Sequence, residues 1–126
     1  QRCEILSFHV PSLPETQRII NTDLLDRMAP GTVIINTSRS DIVDEVALIA
    51  AMDEKDIYAG LDVYDNEPSK GKFEFSSALA SHPNVYGTHH IGASTEQAQA
   101  AVAEGVIEVI EAFAVGKIRN CVNMAQ

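Results

Sequence analysis

The sequence predicts an α/β fold, a parallel sheet of about four strands with flanking helices. Three observations carry this expectation. Apolar, β-branched runs recur at residues 3–10, 32–38, 57–63 and 85–90. The segments between them are helical in pattern or too long for hairpin turns, which implies crossovers and parallel pairing. The runs are apolar throughout rather than alternating, as in strands buried on both faces, so a three-layer arrangement is expected.

The elements follow in order. CEILSFHV forms the first strand and closes at Pro11. Residues 11–20 contain two prolines and read as a loop with one short turn. Asn21 or Thr22 can cap a short helix through Met28, stopped by Pro30-Gly31. TVIINTS is the second strand, and Asp44 then caps a helix to about Asp53. IYAGLDV is the third strand, and a loop through Pro68, Lys70 and Gly71 leads to the fourth, VYGTHH. Ser94 with Gln97 makes a capping box for the longest helix. Ala98, Ala101, Val102, Val106, Val109, Ile110 and Phe113 recur there at helical spacing, and Gly116 ends it with Lys117 beyond. That helix is expected to pack back across the sheet or to reach toward another domain.

At 126 residues the chain suffices for one domain. Its 45% hydrophobic and 21% charged content is ordinary for a globular protein. A net charge of −9 argues against nucleic acid or an anionic membrane as partner, since phosphate recognition needs clustered Lys and Arg. Cys3 and Cys121 stand far apart and in no C-x-x-C pair, so neither a disulfide scaffold nor a metal site is expected. No apolar run is long enough for a transmembrane helix, and no basic-then-apolar leader opens the chain. A cytoplasmic location is expected. The chain enters an apolar run without an initiating Met, which reads as a start inside a domain.

Open parallel sheets bind ligands outside the carboxyl ends of their strands. His9, the Thr37-Ser38-Arg39 run, Asp62 and the His89-His90 pair all sit at those ends. Arg39 can hold a carboxylate in a fork, His90 can pass a proton near neutral pH, and Glu67 can fix an imidazole's orientation. Each also has a plainer reading. Arg39 could pair with Asp41 or Asp44, Glu67 could be a solvated loop carboxylate with Asp65 as a decoy beside it, and His90 could bond a backbone carbonyl. Asp62 lies inside an apolar run and needs a specific partner, either a cofactor amide or a structural group. His89 points to the opposite face from His90 if the strand is regular. His82 reads as a loop surface residue, and His9 as a rim residue without chemistry.

The runs HVPSLPET, NTSR, VDEVAL, AGLDVYDNEP and HHIGAST, taken in that order, resemble the D-isomer-specific 2-hydroxyacid dehydrogenases, the family that includes phosphoglycerate dehydrogenase. The resemblance covers nearly the whole chain but only the second half of that family's NAD-binding domain. It implies half of a doubly wound, Rossmann-type domain and an oxidoreductase that interconverts 2-keto and D-2-hydroxy acids. It further implies that Arg39 binds the substrate carboxylate, His90 is the general acid/base and Glu67 orients it. Val10, Pro11 and Thr16 would lie along the dinucleotide, and Thr37, Ser38 and Arg39 would flank it. Asp62 would sit near the nicotinamide amide, with His90, Gly92 and Ala93 close by. NAD is the implied cofactor, with NADP left open.

Two positions depart from the family pattern: Ser40 stands where Gly is usual, and His89 where Pro is usual. Ser40 is a modest change at negative φ and a strained one at positive φ. No G-x-G-x-x-G follows a strand, so the pyrophosphate cradle is missing from these residues. The chain is therefore expected to be a single partial NAD-binding domain over 1–126, without the substrate domain and without useful turnover alone. Its first strand would present an unpaired edge and favour a homo-oligomer. The alternative is a non-catalytic NAD-sensing or interaction module of the same fold.

Overall fold

The computed structural model describes residues 3–67 and 75–122; the expected loop positions Pro68, Lys70 and Gly71 lie outside the described residues. The chain divides into two units, Gln1–His90 and Ile91–Gln126.

The first unit holds a four-stranded sheet in the order β1-β2-β3-β4. The strands are β1 Ile5–Phe8, β2 Val33–Asn36, β3 Tyr58–Leu61 and β4 Val85–Gly87. All neighbours pair in parallel, and Phe8, Asn36, Leu61 and Gly87 share the last register row. The residues that follow this row, His9, Thr37, Asp62 and Thr88, therefore leave the sheet side by side. This register turns four distant stretches of sequence into one rim. The fourth strand is shorter than expected: residues 88–90 depart from it, and His90 adopts φ 58°. Strand alternation consequently does not decide where His89 points.

One sheet face carries Leu6, Phe8, Ile34, Ala59 and Leu61 and packs into a core with Leu25, Leu48 and Met52 of the helices. The opposite face carries exposed Ile5, Tyr58 and Tyr86. The expected cover on both faces is thus not found among the described residues of this unit. Strands that succeed one another in a single direction through right-handed crossovers put their connecting helices on one side.

Helix α1, Thr22–Asp26, begins at Asn21, whose side chain accepts the Leu24 N–H at 3.1 Å. It stops before the expected Met28. Lys55 closes its end by donating to the carbonyls of Leu25 and Asp26 at 3.2 and 2.9 Å. Helix α2, Glu45–Lys55, is capped by Asp44, which accepts the Ala47 N–H at 3.1 Å. It runs past Asp53 and ends where Asp56 turns left-handed at φ 52°. Before it, Ser40–Ile42 form a 3-10 turn, held to the α1 approach by a parallel bridge between Ile20 and Val43.

In the second unit, α3 spans Glu96–Ala114. Thr95, not Ser94, is its cap and accepts the Ala98 N–H at 3.1 Å. The Ser94 N–H already serves the preceding turn, donating to the Ile91 carbonyl at 2.9 Å, so the Ser94–Gln97 box does not form the cap. Gly116 at φ 75° ends the helix with Lys117 N–H on the Ala112 carbonyl and Gly116 N–H on the Phe113 carbonyl. This double closure is a Schellman motif. Val102, Val106, Ile110 and Phe113 are exposed. Among the described residues no helix is long and apolar enough to cross a membrane.

Candidate active site

The rim is organised by a residue that the sequence did not single out. Asn36, fully buried at 0% exposure, ends β2. Its amide N donates to the Arg39 carbonyl at 2.8 Å, and its amide O accepts the Ser38 N–H at 3.1 Å and the Ser38 hydroxyl at 2.8 Å. Thr37, Ser38 and Arg39 are thereby folded over the strand end. An Asn followed by Thr-Ser at the close of an apolar run is the sequence signal for such a turn.

Arg39 is exposed, in extended conformation at φ −143°, and its guanidinium donates to its neighbour's carbonyl, Ser38, at 2.7 Å. Neither expected carboxylate holds it. Asp44 pairs with Arg18 at 3.7 Å, and Asp41 accepts the Ser12 hydroxyl. Ser40 is absent from the residues with positive φ, so its replacement of glycine brings no left-handed strain beside Arg39.

Glu67 accepts two hydrogen bonds, one at each carboxylate oxygen. Its Oε1 takes the Tyr64 N–H at 2.5 Å, and its Oε2 takes His90 Nδ1 at 2.9 Å. The loop that delivers it turns through left-handed Asn66 at φ 60°. His90 is left-handed as well, which for a side chain with a Cβ costs roughly 1–2 kcal/mol. Such outliers concentrate where surrounding structure holds a functional group in place. The Glu67 side chain is 24% exposed and that of His90 is 54% exposed. An ion pair this open to water adds little stability. Its consequence is orientation: with Nδ1 turned to the carboxylate, Nε2 is the ring nitrogen left for a ligand.

Arg39, Glu67 and His90 line one pocket of about 270 Å³, together with Ser40, Val63, Tyr64 and Asn66. Tyr64 is buried, and that burial holds its phenol above the usual tyrosine range, with the carboxylates of Asp62, Glu67 and Glu45 adding to the effect.

Asp62 is 4% exposed at the end of β3. It accepts the Thr88 hydroxyl at 2.5 Å, and its N–H donates to the Asn36 carbonyl at 3.1 Å. Val10 and Pro11 follow β1, and Thr16 folds their loop by donating to the Pro11 carbonyl at 2.7 Å and accepting the Leu13 N–H at 2.9 Å. Gly92 and Ala93 belong to the second unit, where the Ala93 carbonyl accepts the Gln99 side chain at 2.7 Å. Asp65 is exposed and takes no place in the pocket lining; its N–H donates to Glu45. His9 is exposed and bonds Ser7 at 2.7 Å. His82 differs from the surface residue expected: its side chain is 11% exposed, pairs with Asp53 at 3.2 Å and accepts the Asn84 N–H. Both cysteines are exposed.

Residues 1–92 match the family model described as D-isomer specific 2-hydroxyacid dehydrogenase, NAD binding domain. The chain is 36% identical over 122 residues to glyoxylate/hydroxypyruvate reductase B of Enterobacter agglomerans, covering 95% of this chain and 36% of the relative. It is 41% identical over 123 residues to D-3-phosphoglycerate dehydrogenase of Synechocystis sp., covering 96% and 21%. The crystal structure of D-lactate dehydrogenase with NAD+ from Lactobacillus jensenii superimposes with a TM-score of 0.78 at 28% identity, covering 97% of this chain and 40% of that one. The chain therefore spans well under half the length of these relatives.

Proposed function

The chain belongs to the D-isomer specific 2-hydroxyacid dehydrogenase family as an NAD binding domain, and from that premise we propose that it carries the acid–base and carboxylate-binding residues of a 2-keto/D-2-hydroxy acid oxidoreductase. One observation carries the reading: Arg39, Glu67 and His90, distant in sequence, line a single pocket at the strand ends.

Each residue has a task set by its chemistry. The Arg39 guanidinium forks the substrate carboxylate and fixes the direction of the neighbouring carbon. His90 Nε2 gives a proton to the carbonyl oxygen during reduction and takes it back from the hydroxyl during oxidation. Glu67, anchored by the Tyr64 N–H, keeps the His90 ring from turning away. Holding carbon and proton in register in this way removes much of the entropic barrier. The nicotinamide, when bound, supplies or accepts the hydride.

The donor set fits the nicotinamide end of the cofactor. Asp62 is a buried acceptor at the rim, suited to a carboxamide N–H, and Thr37 leaves the neighbouring strand beside it, with Ser38 folded back on Asn36. Val10, Pro11 and Thr16 follow β1, the strand beside β2. The pyrophosphate end has no matching cradle in these residues, since no G-x-G-x-x-G occurs in the sequence. We read residues 1–126 as a partial NAD-binding domain that needs further chain for turnover. A reducing, cytosolic setting and a homo-oligomeric parent belong to the same reading.

The test is NADH-dependent reduction of small 2-keto acids by the longer protein that carries this chain, compared with its His90→Ala variant. Loss of the rate supports the reading; a rate that survives His90→Ala contradicts it.

A further inference from the structure

We infer that Tyr64 and Gly87 are a matched wedge and notch that holds Glu67 against His90, which makes Tyr64 a positioning residue for the acid–base pair. The inference rests on the roles proposed for Glu67 and His90.

Tyr64 is 6% exposed and lies three residues before Glu67. Its ring is fixed on one side by Phe75, with centroids 5.6 Å apart at 54°. Its hydroxyl reaches the Leu61 carbonyl at 3.4 Å, the same carbonyl that accepts the Thr88 N–H at 2.9 Å. The phenol therefore sits where β3 and β4 end side by side. A Cβ at Gly87 would stand 2.0 Å from the Tyr64 hydroxyl and 3.1 Å from its ring carbon Cζ. Glycine is required there by space and not by backbone angle, because Gly87 is outside the positive-φ set.

The two ends of this contact lead to the two members of the pair. Gly87 closes β4, and His90 follows three residues later. On the other side, the Tyr64 N–H donates to Glu67 Oε1 at 2.5 Å, leaving Oε2 for His90. A ring that is pinned cannot swing its own backbone N–H off the carboxylate. Seating the phenol in the Gly87 notch thus sets both the height of the Glu67 loop and the direction of its carboxylate.

The test is amide hydrogen exchange at position 64 in the 126-residue chain, read by NMR with the His90 ring resonances. Gly87→Ala is expected to speed exchange at position 64 by about tenfold or more, the loss of one hydrogen bond to a charged acceptor, while the Ile34 amide in the sheet centre stays as in wild type. The His90 resonances should move toward those of a Glu67→Gln variant. Tyr64→Phe, which removes the atom in closest conflict, should restore both readouts in the Gly87→Ala background. Tyr64→Ala should lose protection in the presence of Gly87, which keeps the test valid if Gly87→Ala does not fold. In the longer protein, Gly87→Ala should lower kcat for 2-keto acid reduction more than it changes KM, and Tyr64→Phe should rescue it. Wild-type exchange at position 64 in folded Gly87→Ala, in Tyr64→Ala, or a failure of Tyr64→Phe to rescue overturns the wedge. The expected exchange pattern with a rate that survives His90→Ala supports the wedge and overturns the role of His90.

Discussion

His90 Nδ1 lies 2.9 Å from Glu67 Oε2, and the imidazole is carried there on a left-handed backbone at φ 58°. The carboxylate sets the ring, and the strained backbone sets the carboxylate's partner within reach. The consequences for chemistry and stability can be measured separately.

Arg39 carries a planar fork on an extended backbone at the pocket edge. Arg39→Lys keeps the charge and removes the second, parallel hydrogen bond. The expected outcome is a KM for the 2-keto acid raised by roughly tenfold or more, since bonds between charged partners are worth about 1.5–3 kcal/mol. Steady-state kinetics with the longer protein checks this, and an unchanged KM speaks against carboxylate binding at Arg39.

Asn36 is buried and makes three hydrogen bonds to the loop of Ser38 and Arg39. Asn36→Ala leaves that loop's polar groups without their partners. The chain should lose about 1–3 kcal/mol in urea unfolding. A midpoint equal to wild type would show that water replaces the side chain without cost.

Tyr64 should titrate above the usual tyrosine range, because burial and the nearby Asp62, Glu67 and Glu45 carboxylates disfavour its phenolate. The sign for stability follows from linkage. The folded value is raised above the unfolded one, so the stabilisation is fully present below about pH 10 and is lost as pH rises through the folded value. Tyrosinate absorbance against pH should resolve one late component that Tyr64→Phe removes. A late component that persists in that variant contradicts the assignment.

Among the described strands β1 is an edge strand, and Ile5 on it is exposed. Apolar edges invite pairing with another chain. Sedimentation at micromolar concentration should show self-association, weakened by Ile5→Lys. A monomer throughout that range counts against a homo-oligomer built on this edge.

Much of this arrangement was legible in the sequence because it follows from parallel pairing. Once the runs at Phe8, Asn36, Leu61 and Gly87 share a row, the polar residues after them must share a rim. The caps Asn21 and Asp44 were legible for the same local reason, a side-chain oxygen before an apolar period. Other features depend on choices that no local pattern records. Ser94 and Thr95 are both good caps, and the turn that uses the Ser94 N–H decides between them. His90 reads as a strand residue, yet the strand ends at Gly87 and His90 is left-handed three residues beyond it. The fit of Tyr64 to Gly87 joins residues 64 and 87, and only the fold brings them into contact.

The most direct measurement of the central claim, that Glu67 and His90 act as one unit, is a double-mutant cycle on 2-keto acid reduction by the longer protein. Glu67→Gln should lower kcat by about a hundredfold through misplacement of the ring, and His90→Ala by about 10²–10⁴ through loss of proton transfer. The account predicts that the double variant is no slower than His90→Ala alone, because Glu67 acts only through His90. Losses that multiply in the double variant would contradict it.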